Sequence, residues 1–188
     1  MLGKYGGYTT AKRVILPRET ALTSEESNSL CEYSENITGC LAISSLMVGE
    51  NAFSQCNIDY MSLFAPDGYA LRLRKYAFAF CDKIHTIVIP ENTLDILYGA
   101  FTNCTSLKKV YFPSELEGID YTAFMGCSID LMDFSVSTYV PYLIGGKLLG
   151  ISGTCKIVVP DSLYDEWITK SNWSNHVNQI VKASEYTE

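Results

Sequence analysis

The chain has 188 residues, enough for one domain or one short array of repeats, and 47% of them are hydrophobic. Its formal net charge of −7 and its 14 scattered basic residues argue against a nucleic-acid partner, because phosphate backbones are bound by clustered lysine and arginine. No run of residues approaches the roughly 18 apolar side chains of a membrane-spanning helix, so membrane insertion is not expected.

The N-terminal part, residues 1–47, shows the weakest pattern. Its first ten residues include Lys4 and three glycines, with neither the apolar region nor the cleavage site of a signal peptide. The protein therefore stays inside the cell, leaves it by another route, or is a piece of a longer chain. Arg13 to Pro17 have the pattern of a strand ended by proline, and polar sequence follows. We assign 1–47 to an N-terminal cap or a degenerate repeat.

An internal repeat occupies the middle of the chain. The pattern A-F-x-x-C occurs four times, and its phenylalanines are 25, 23 and 23 residues apart: Phe53, Phe78, Phe101 and Phe124. Five residues before each phenylalanine is an aliphatic side chain, and a short alternating apolar run follows each cysteine. Units of this length bury their apolar faces only by stacking, so the pattern predicts a repeat solenoid of about five coils over residues 48–160.

The alternating runs predict the strands of one short parallel β-sheet on one face of the solenoid. Loops or short helical turns are expected on the other face. A fifth, divergent coil is predicted to end at Pro160, and Leu149 is placed where its phenylalanine would be. The side chains that point into the stack are expected to be Ile87, Ile89, Val110, Phe112, Met132 and Phe134.

Residues 161–188 are predicted to form a helical C-terminal cap. Asp161 or Ser162 can cap a helix N-terminus, and Asp165 and Glu166 suit its positive end. A stack needs such a lid because its last coil would otherwise leave an apolar face in water. The side chains expected to plug that face are Leu163, Trp167, Trp173 and Ile180.

The pattern I-x-x-x-A-F-x-x-C-x-x-L-x-x-I-x-I-P resembles that of the BspA-like leucine-rich repeat family, which is common in surface proteins of anaerobic and gut-dwelling bacteria. The match is strongest from Val48 to Ser135. The resemblance implies an α/β-type leucine-rich repeat solenoid without catalytic residues, and a role in adhesion or protein binding. It also favours a cell-surface or secreted location, although the chain itself shows no export signal.

No residue pattern points to catalysis, a metal or a cofactor, so none of the three is expected. The two histidines, His85 and His176, lie 91 residues apart and are expected to be a solvated turn residue and a packing residue, respectively. Gly145 and Gly146 lack the flanking residues of a phosphate-binding loop.

The four cysteines of the repeat, Cys56, Cys81, Cys104 and Cys127, are expected to be buried, free thiols. A catalytic pair of Cys81 with His85 is a remote alternative, because burial in apolar surroundings raises the pKa of a thiol and makes it unreactive. Outside the repeat, a bridge between Cys31 and Cys40 stays open if the protein is exported.

The outer face of the predicted sheet is the candidate partner-binding surface. An aromatic side chain among aliphatic ones suits an interface with a protein or another cell-surface ligand. The alternative is that valine and tyrosine are here only because both residues are common in strands. Strand parity places six residues on this face, which we call the predicted face: Thr86, Val88, Lys109, Tyr111, Leu131 and Asp133.

The sequence therefore favours a non-catalytic protein-binding or adhesion module of a bacterial surface protein. The alternative is a structural or host-recognition component of a phage or prophage particle, which would explain a chain that starts at methionine without an export signal. Neighbouring genes for tail and capsid proteins would favour the second interpretation, and genes for sortase or secretion would favour the first.

Overall fold

The computed structural model describes residues 13–15, 38–44, 47–48, 50–51, 53–64 and 70–187, with the side chains of 50, 51, 53–56 and 70–187. It contains one α-helix in this part of the chain, α1 (Tyr164–Thr169), and 3-10 helices at Asp161–Leu163, Trp173–His176 and Ala183–Glu185. The strands are β1 (Arg13–Ile15), β2 (Thr38–Ser44), β3 (Met47–Val48), β4 (Asn57–Phe64), β5 (Leu71–Leu73), β6 (Thr86–Val88), β7 (Thr93–Ile96), β8 (Lys109–Tyr111), β9 (Gly118–Asp120), β10 (Ile129–Asp133), β11 (Tyr142–Ile144), β12 (Ile151–Val159) and β13 (Ile180–Lys182).

These strands pair in parallel within three sheets. The first sheet has the order β13-β12-β10-β8-β6, and the second has the order β11-β9-β7-β5-β3. From β5 to β12 successive strands alternate between these two sheets, so each repeat contributes one strand to each. The third sheet consists of β1, β2 and β4. The predicted strand at Arg13 to Pro17 is thus present as β1, in parallel pairing with β2.

The second sheet was not predicted, because loops or helical turns were expected on that side. The aliphatic residues five positions before each phenylalanine lie in its strands, and Leu73, Ile96 and Ile119 pair with one another in register. Strands β5, β7 and β9 are only three or four residues long. Strands β7 and β9 each have one buried aliphatic residue, so they show no alternation. The equally short β6 and β8 were recognised because a second inward residue, Ile89 or Phe112, follows the first at an interval of two.

The phenylalanines of the repeat form one buried column between the two sheets, as predicted. Phe53, Phe78, Phe101 and Phe124 are all fully buried. Adjacent rings are nearly parallel, with centroids 5.4, 5.3 and 5.5 Å apart along the column. These separations lie within the range in which aromatic pairs attract. The six inward side chains of the first sheet, from Ile87 to Phe134, are buried as well.

Backbone hydrogen bonds join the coils at the A-F-x-x-C turns. The amides of three phenylalanines donate to the carbonyl oxygen of the alanine one coil further on: Phe53 to Ala77 at 2.8 Å, Phe78 to Ala100 at 2.7 Å and Phe101 to Ala123 at 2.8 Å. All three alanines are fully buried. The turn therefore continues the hydrogen bonding of the sheets around the coil, and satisfies backbone groups that would otherwise be buried without partners.

The second variable position of A-F-x-x-C has a left-handed backbone in every coil. Its φ is +63° at Gln55, +61° at Phe80, +57° at Asn103 and +81° at Gly126. Asparagine and glycine adopt this conformation readily, whereas a bulky residue does so at a cost. Phe80 is nevertheless 50% exposed, so burial of its ring does not explain why phenylalanine occupies the position.

The fifth coil places Leu148, and not Leu149, at the phenylalanine position. Leu143 pairs with Ile119 in the second sheet, and Leu148 follows it by five residues, the interval found in the other coils. Leu148 is buried, whereas Leu149 is 39% exposed. Gly150 then has the left-handed conformation of the turn, with φ of +86°. The prediction was wrong because it counted 25 residues from Phe124 across a coil of different length.

The C-terminal segment, residues 161–187, covers the end of both main sheets. Its strand β13 pairs with β12 in the first sheet. At the second sheet, three side chains donate to carbonyl oxygens on the edge that β11 forms: Lys170 to Val140 at 2.6 Å, Trp173 to Pro141 at 2.8 Å and Asn172 to Leu143 at 2.7 Å.

This segment is less helical than predicted. Its α-helix has six residues, and neither Asp161 nor Ser162 caps it. Asp161 instead accepts two hydrogen bonds from Ser184, 23 residues further on. The aromatic plug is present, because Trp167 and Trp173 are fully buried with ring centroids 4.6 Å apart. Ile180 is buried with them, and Leu163 packs against the core while partly buried.

Replacing Phe101 with alanine should lower the free energy of unfolding by about 3–5 kcal/mol, because it removes a ring that packs between two neighbouring rings. Urea unfolding followed by circular dichroism measures this loss. Phe80→Ala makes the same change at an exposed position and should alter stability by less than about 0.5 kcal/mol. Equal losses in the two variants would contradict the role of the column.

Candidate functional site

The repeat cysteines form a second column beside the phenylalanines. Each thiol donates to the carbonyl oxygen of the phenylalanine in the preceding coil: Cys81 to Phe53, Cys104 to Phe78 and Cys127 to Phe101, each with an Sγ to O distance of 3.1 Å. Cys56, Cys81 and Cys104 are free and buried, as predicted. Cys127, at the end of the column, is only partly buried.

These thiols are poor nucleophiles. Contact with the Cys104 thiol and then burial raise the pKa of Cys127 far above its usual range. Burial raises the pKa of Cys155, outside the column, to about 12. The thiolate is the reactive form of cysteine, and raised pKa values keep it scarce at neutral pH. Among the predicted cysteines outside the repeat, the side chains of Cys31 and Cys40 lie outside the described residues.

His176 is a packing residue with both ring nitrogens engaged. Its Nε2 accepts a hydrogen bond from the backbone amide of Leu148 at 3.1 Å, and its Nδ1 is 3.0 Å from Oε1 of Gln179. This network assigns the proton to Nδ1. Burial lowers the pKa of His176, and the charge of Lys147 lowers it further. His85, by contrast, is exposed, with Nδ1 3.2 Å from the carbonyl oxygen of Ser106.

Four residues of the predicted face lie on the outer side of the first sheet as expected. Thr86 pairs with Lys109, and Val88 pairs with Tyr111. Val88 is 61% exposed, and Lys109 and Tyr111 are partly exposed. Strands β6 and β8 thus present a small mixed surface with an aliphatic, an aromatic and a cationic side chain.

The other two residues of the predicted face do not lie open to a partner. Leu131 is only 3% exposed, although its register partners Lys109 and Lys156 have the same outward parity. Lysine side chains cover neighbouring apolar surface with their methylene groups, which parity alone does not reveal. Asp133 is partly buried, and its carboxylate accepts a hydrogen bond from the amide of Ser135 at 2.8 Å. That bond shapes the turn after β10.

A groove on the second sheet was missed by the sequence analysis. It has a volume of about 670 Å³ and lies over Gly118. Tyr142 is 70% exposed at one side of it, and Ile144 is 46% exposed. The residues that line this groove, which we call the second-sheet groove, are Asp95, Glu117, Gly118, Tyr139, Tyr142, Leu143 and Ile144.

The residues of this groove recur at the repeat spacing in the sequence, but they can be aligned only when the register of the second sheet is known. Arg72, Asp95, Gly118 and Tyr142 occupy equivalent positions in successive strands, 23, 23 and 24 residues apart. The repeat period would have aligned them had the second sheet been recognised.

Neither a metal centre nor a membrane span stands out in the described part of the chain. Its histidine, cysteine and carboxylate side chains form no group of three or more that could hold a metal ion. Its helices are too short or too polar to cross a lipid bilayer.

The fold and these surfaces define a protein of stacked leucine-rich repeats. The chain matches the BspA type leucine rich repeat region in six copies over residues 8–130. It therefore belongs to this family. The matched stretch includes most of residues 1–47 and ends before the fifth coil.

The chain also resembles solved structures. The chain is similar to a leucine rich cell surface protein from Faecalibacterium prausnitzii A2-165, with 16% sequence identity and a TM-score of 0.41. The similarity covers 94% of this chain and 48% of that one, so this chain spans about half of that protein's length. No curated protein matches the chain.

The buried thiols should resist modification in the native protein. With excess maleimide at neutral pH, Cys56, Cys81 and Cys104 should stay unlabelled for hours, whereas the partly buried Cys127 should react first among the four. Mass spectrometry of peptides, with a denatured sample as the control for full labelling, measures the order. Rapid labelling of all four cysteines before denaturation would disprove the burial of the column.

Protonation of His176 should destabilise the native protein. Because burial lowers its folded pKa, the unfolded chain binds the proton more readily, and stability falls as pH drops through the unfolded value of about 6.5. The melting temperature should decrease between pH of about 7.5 and about 5. The variant His176→Gln should show a flatter dependence over this window. A profile as steep as that of the natural chain would rule out His176 as the cause.

Proposed function

We propose that the protein is a non-catalytic protein-binding or adhesion module of a bacterial surface protein. Membership in the BspA type family supports a role in protein interaction. The unreactive thiols and the engaged His176 offer no nucleophile or base for catalysis. In this proposal the molecule acts through its surfaces.

In this proposal the coils of residues 48–160 stack as one solenoid. Residues 1–47 continue it as degenerate repeats, and 161–188 close its other end. The stacked phenylalanine column and the edge contacts of the C-terminal segment support such an arrangement. A rigid stack of this kind holds the outer residues of successive strands at fixed spacing, which suits recognition of an extended protein surface.

The observation that carries the proposal is the exposure of Val88 beside Tyr111 on the first sheet. Aliphatic and aromatic side chains held on a rigid sheet can be buried by a partner with little loss of conformational freedom. Thr86 and Lys109 supply polar contacts around them. We propose these four residues as the interface, at the surface of the cell or outside it.

The double variant Val88→Ser with Tyr111→Ser tests this interface. Beads coated with the protein should be retained by one or more members of an array of immobilised extracellular proteins, and the double variant should lose about tenfold or more of that retention. Its melting temperature should stay close to that of the natural chain because the substituted side chains lie on the outer face.

A matched control replaces two exposed valines elsewhere, Val136 and Val177, with serine. This control should bind as the natural chain does. Retention that survives in the double variant would contradict the proposed interface, and a natural chain that no array member retains would contradict the proposed function.

A further inference from the structure

The second-sheet groove contains a notch where one side chain is missing from a row. Across the outer face of the second sheet, Arg72, Asp95, Gly118 and Tyr142 stand side by side in register. Glycine has no side chain, so the row is interrupted between the carboxylate of Asp95 and the ring of Tyr142. A Cβ atom built on Gly118 would lie 3.2 Å from Cδ1 of Ile144 and 3.4 Å from Oδ1 of Asp95.

The polar groups around the notch are acceptors. One oxygen of Asp95, Oδ2, lies 2.9 Å from Nη1 of Arg72, which leaves Oδ1 on the side of the notch. The carboxylate of Glu117 is exposed beside it, and none of the seven lining residues is basic. Because Arg72 offsets only one of the two carboxylates, the groove keeps a negative potential.

The apolar walls of the notch are aromatic and aliphatic. Lys170 lies with Nζ 4.9 Å from the centroid of Tyr142, and the same Nζ is 3.3 Å from Oε1 of Glu166. This contact holds the Tyr142 ring beside the groove while Glu166 offsets the lysine charge. Tyr139 on the other side is fixed by a hydrogen bond from its hydroxyl group to the carbonyl oxygen of Glu115, at 2.9 Å.

We propose that this notch binds an arginine side chain presented by a protein partner. The methylene groups of arginine can lie along the exposed side chains of Ile144 and Tyr142, which line the groove on either side of Gly118. Its planar guanidinium group can stack against tyrosine and donate several hydrogen bonds at once, which suits the carboxylates of Asp95 and Glu117. The site is separate from the predicted face on the first sheet, so a test of one site does not decide the other.

Small peptides allow this site to be tested without the natural partner. In a titration followed by ¹H–¹⁵N NMR, acetyl-Gly-Arg-Gly-amide should shift the amide signals of Gly118, Leu143 and Ile144. The same peptide with citrulline keeps the shape of arginine without its charge and should bind about tenfold more weakly. Cellobiose serves as a neutral probe for the alternative that the groove is a saccharide site.

Two pairs of variants connect the binding to the notch. Gly118→Ala places a methyl group 3.2 Å from Cδ1 of Ile144, so the wall of the groove must shift, and binding of the arginine peptide should weaken about tenfold. Gly146→Ala makes only an ordinary contact with Tyr121 and should not weaken it. Glu117→Gln should likewise weaken binding, whereas Glu185→Gln makes the same charge change on the exposed C-terminal segment and should not. Gly118 is buried, unlike the other three positions, so melting temperatures check that each variant folds.

The expected pattern is a preference for arginine over citrulline that Gly118→Ala and Glu117→Gln remove. Equal binding of the two peptides would overturn the proposal, because charge would then not matter. Shifts with cellobiose alone would overturn it in favour of a saccharide ligand. Absence of localised shifts with any probe, or binding that persists in Gly118→Ala, would overturn it as well.

Discussion

Four stacked phenylalanine rings and the hydrogen-bonded strands together hold successive coils in register. The ring centroids are 5.3–5.5 Å apart, whereas strands in a sheet lie about 4.8 Å apart. Both separations must hold in the same coil, so the turns and the sheets have to accommodate each other. The alanines before Phe78, Phe101 and Phe124 are buried, which allows the backbones to approach there. The thiol three residues after each of these phenylalanines donates back to the preceding coil. Each residue of A-F-x-x-C that recurs thus has a physical task.

The sequence predicted the features that repeat and missed the features that depend on register. The phenylalanine and cysteine columns were predictable because identical residues recur at nearly constant spacing. Leu148 could not be recognised by counting from Phe124, because the coil between Ile119 and Leu143 has one more residue than the coil before it. The second sheet was missed because β7 and β9 each have one buried aliphatic residue and therefore show no alternation of inward and outward side chains.

The candidate surfaces also differ in how far the sequence could predict them. Parity correctly placed Thr86 and Val88 outside, because β6 is the outermost strand of the first sheet. Parity gave the wrong exposure for Leu131, because the exposure of this residue depends on side chains of the adjacent strands. The second-sheet groove depends on the missing side chain at Gly118. The sequence shows that this side chain is missing, but only the register shows that Asp95 and Tyr142 flank it. Glycine in a short strand gave no such indication by itself.

The predicted face lies on the first sheet and the second-sheet groove lies on the second, so the two candidate surfaces share no residue. The left-handed Phe80 lies on neither sheet. Its exposed ring occupies a conformation that asparagine and glycine adopt in the adjacent coils. Nothing in the packing of the protein explains why phenylalanine occupies this position.

The way the C-terminal segment covers the two sheets also concerns self-association. An uncovered parallel sheet edge is a template to which another chain can add a strand. Here Lys170, Asn172 and Trp173 occupy three carbonyl oxygens at the edge of the second sheet, while β13 pairs with the edge of the first. A second chain would have to displace these three side chains before it could add a strand to this edge of the second sheet.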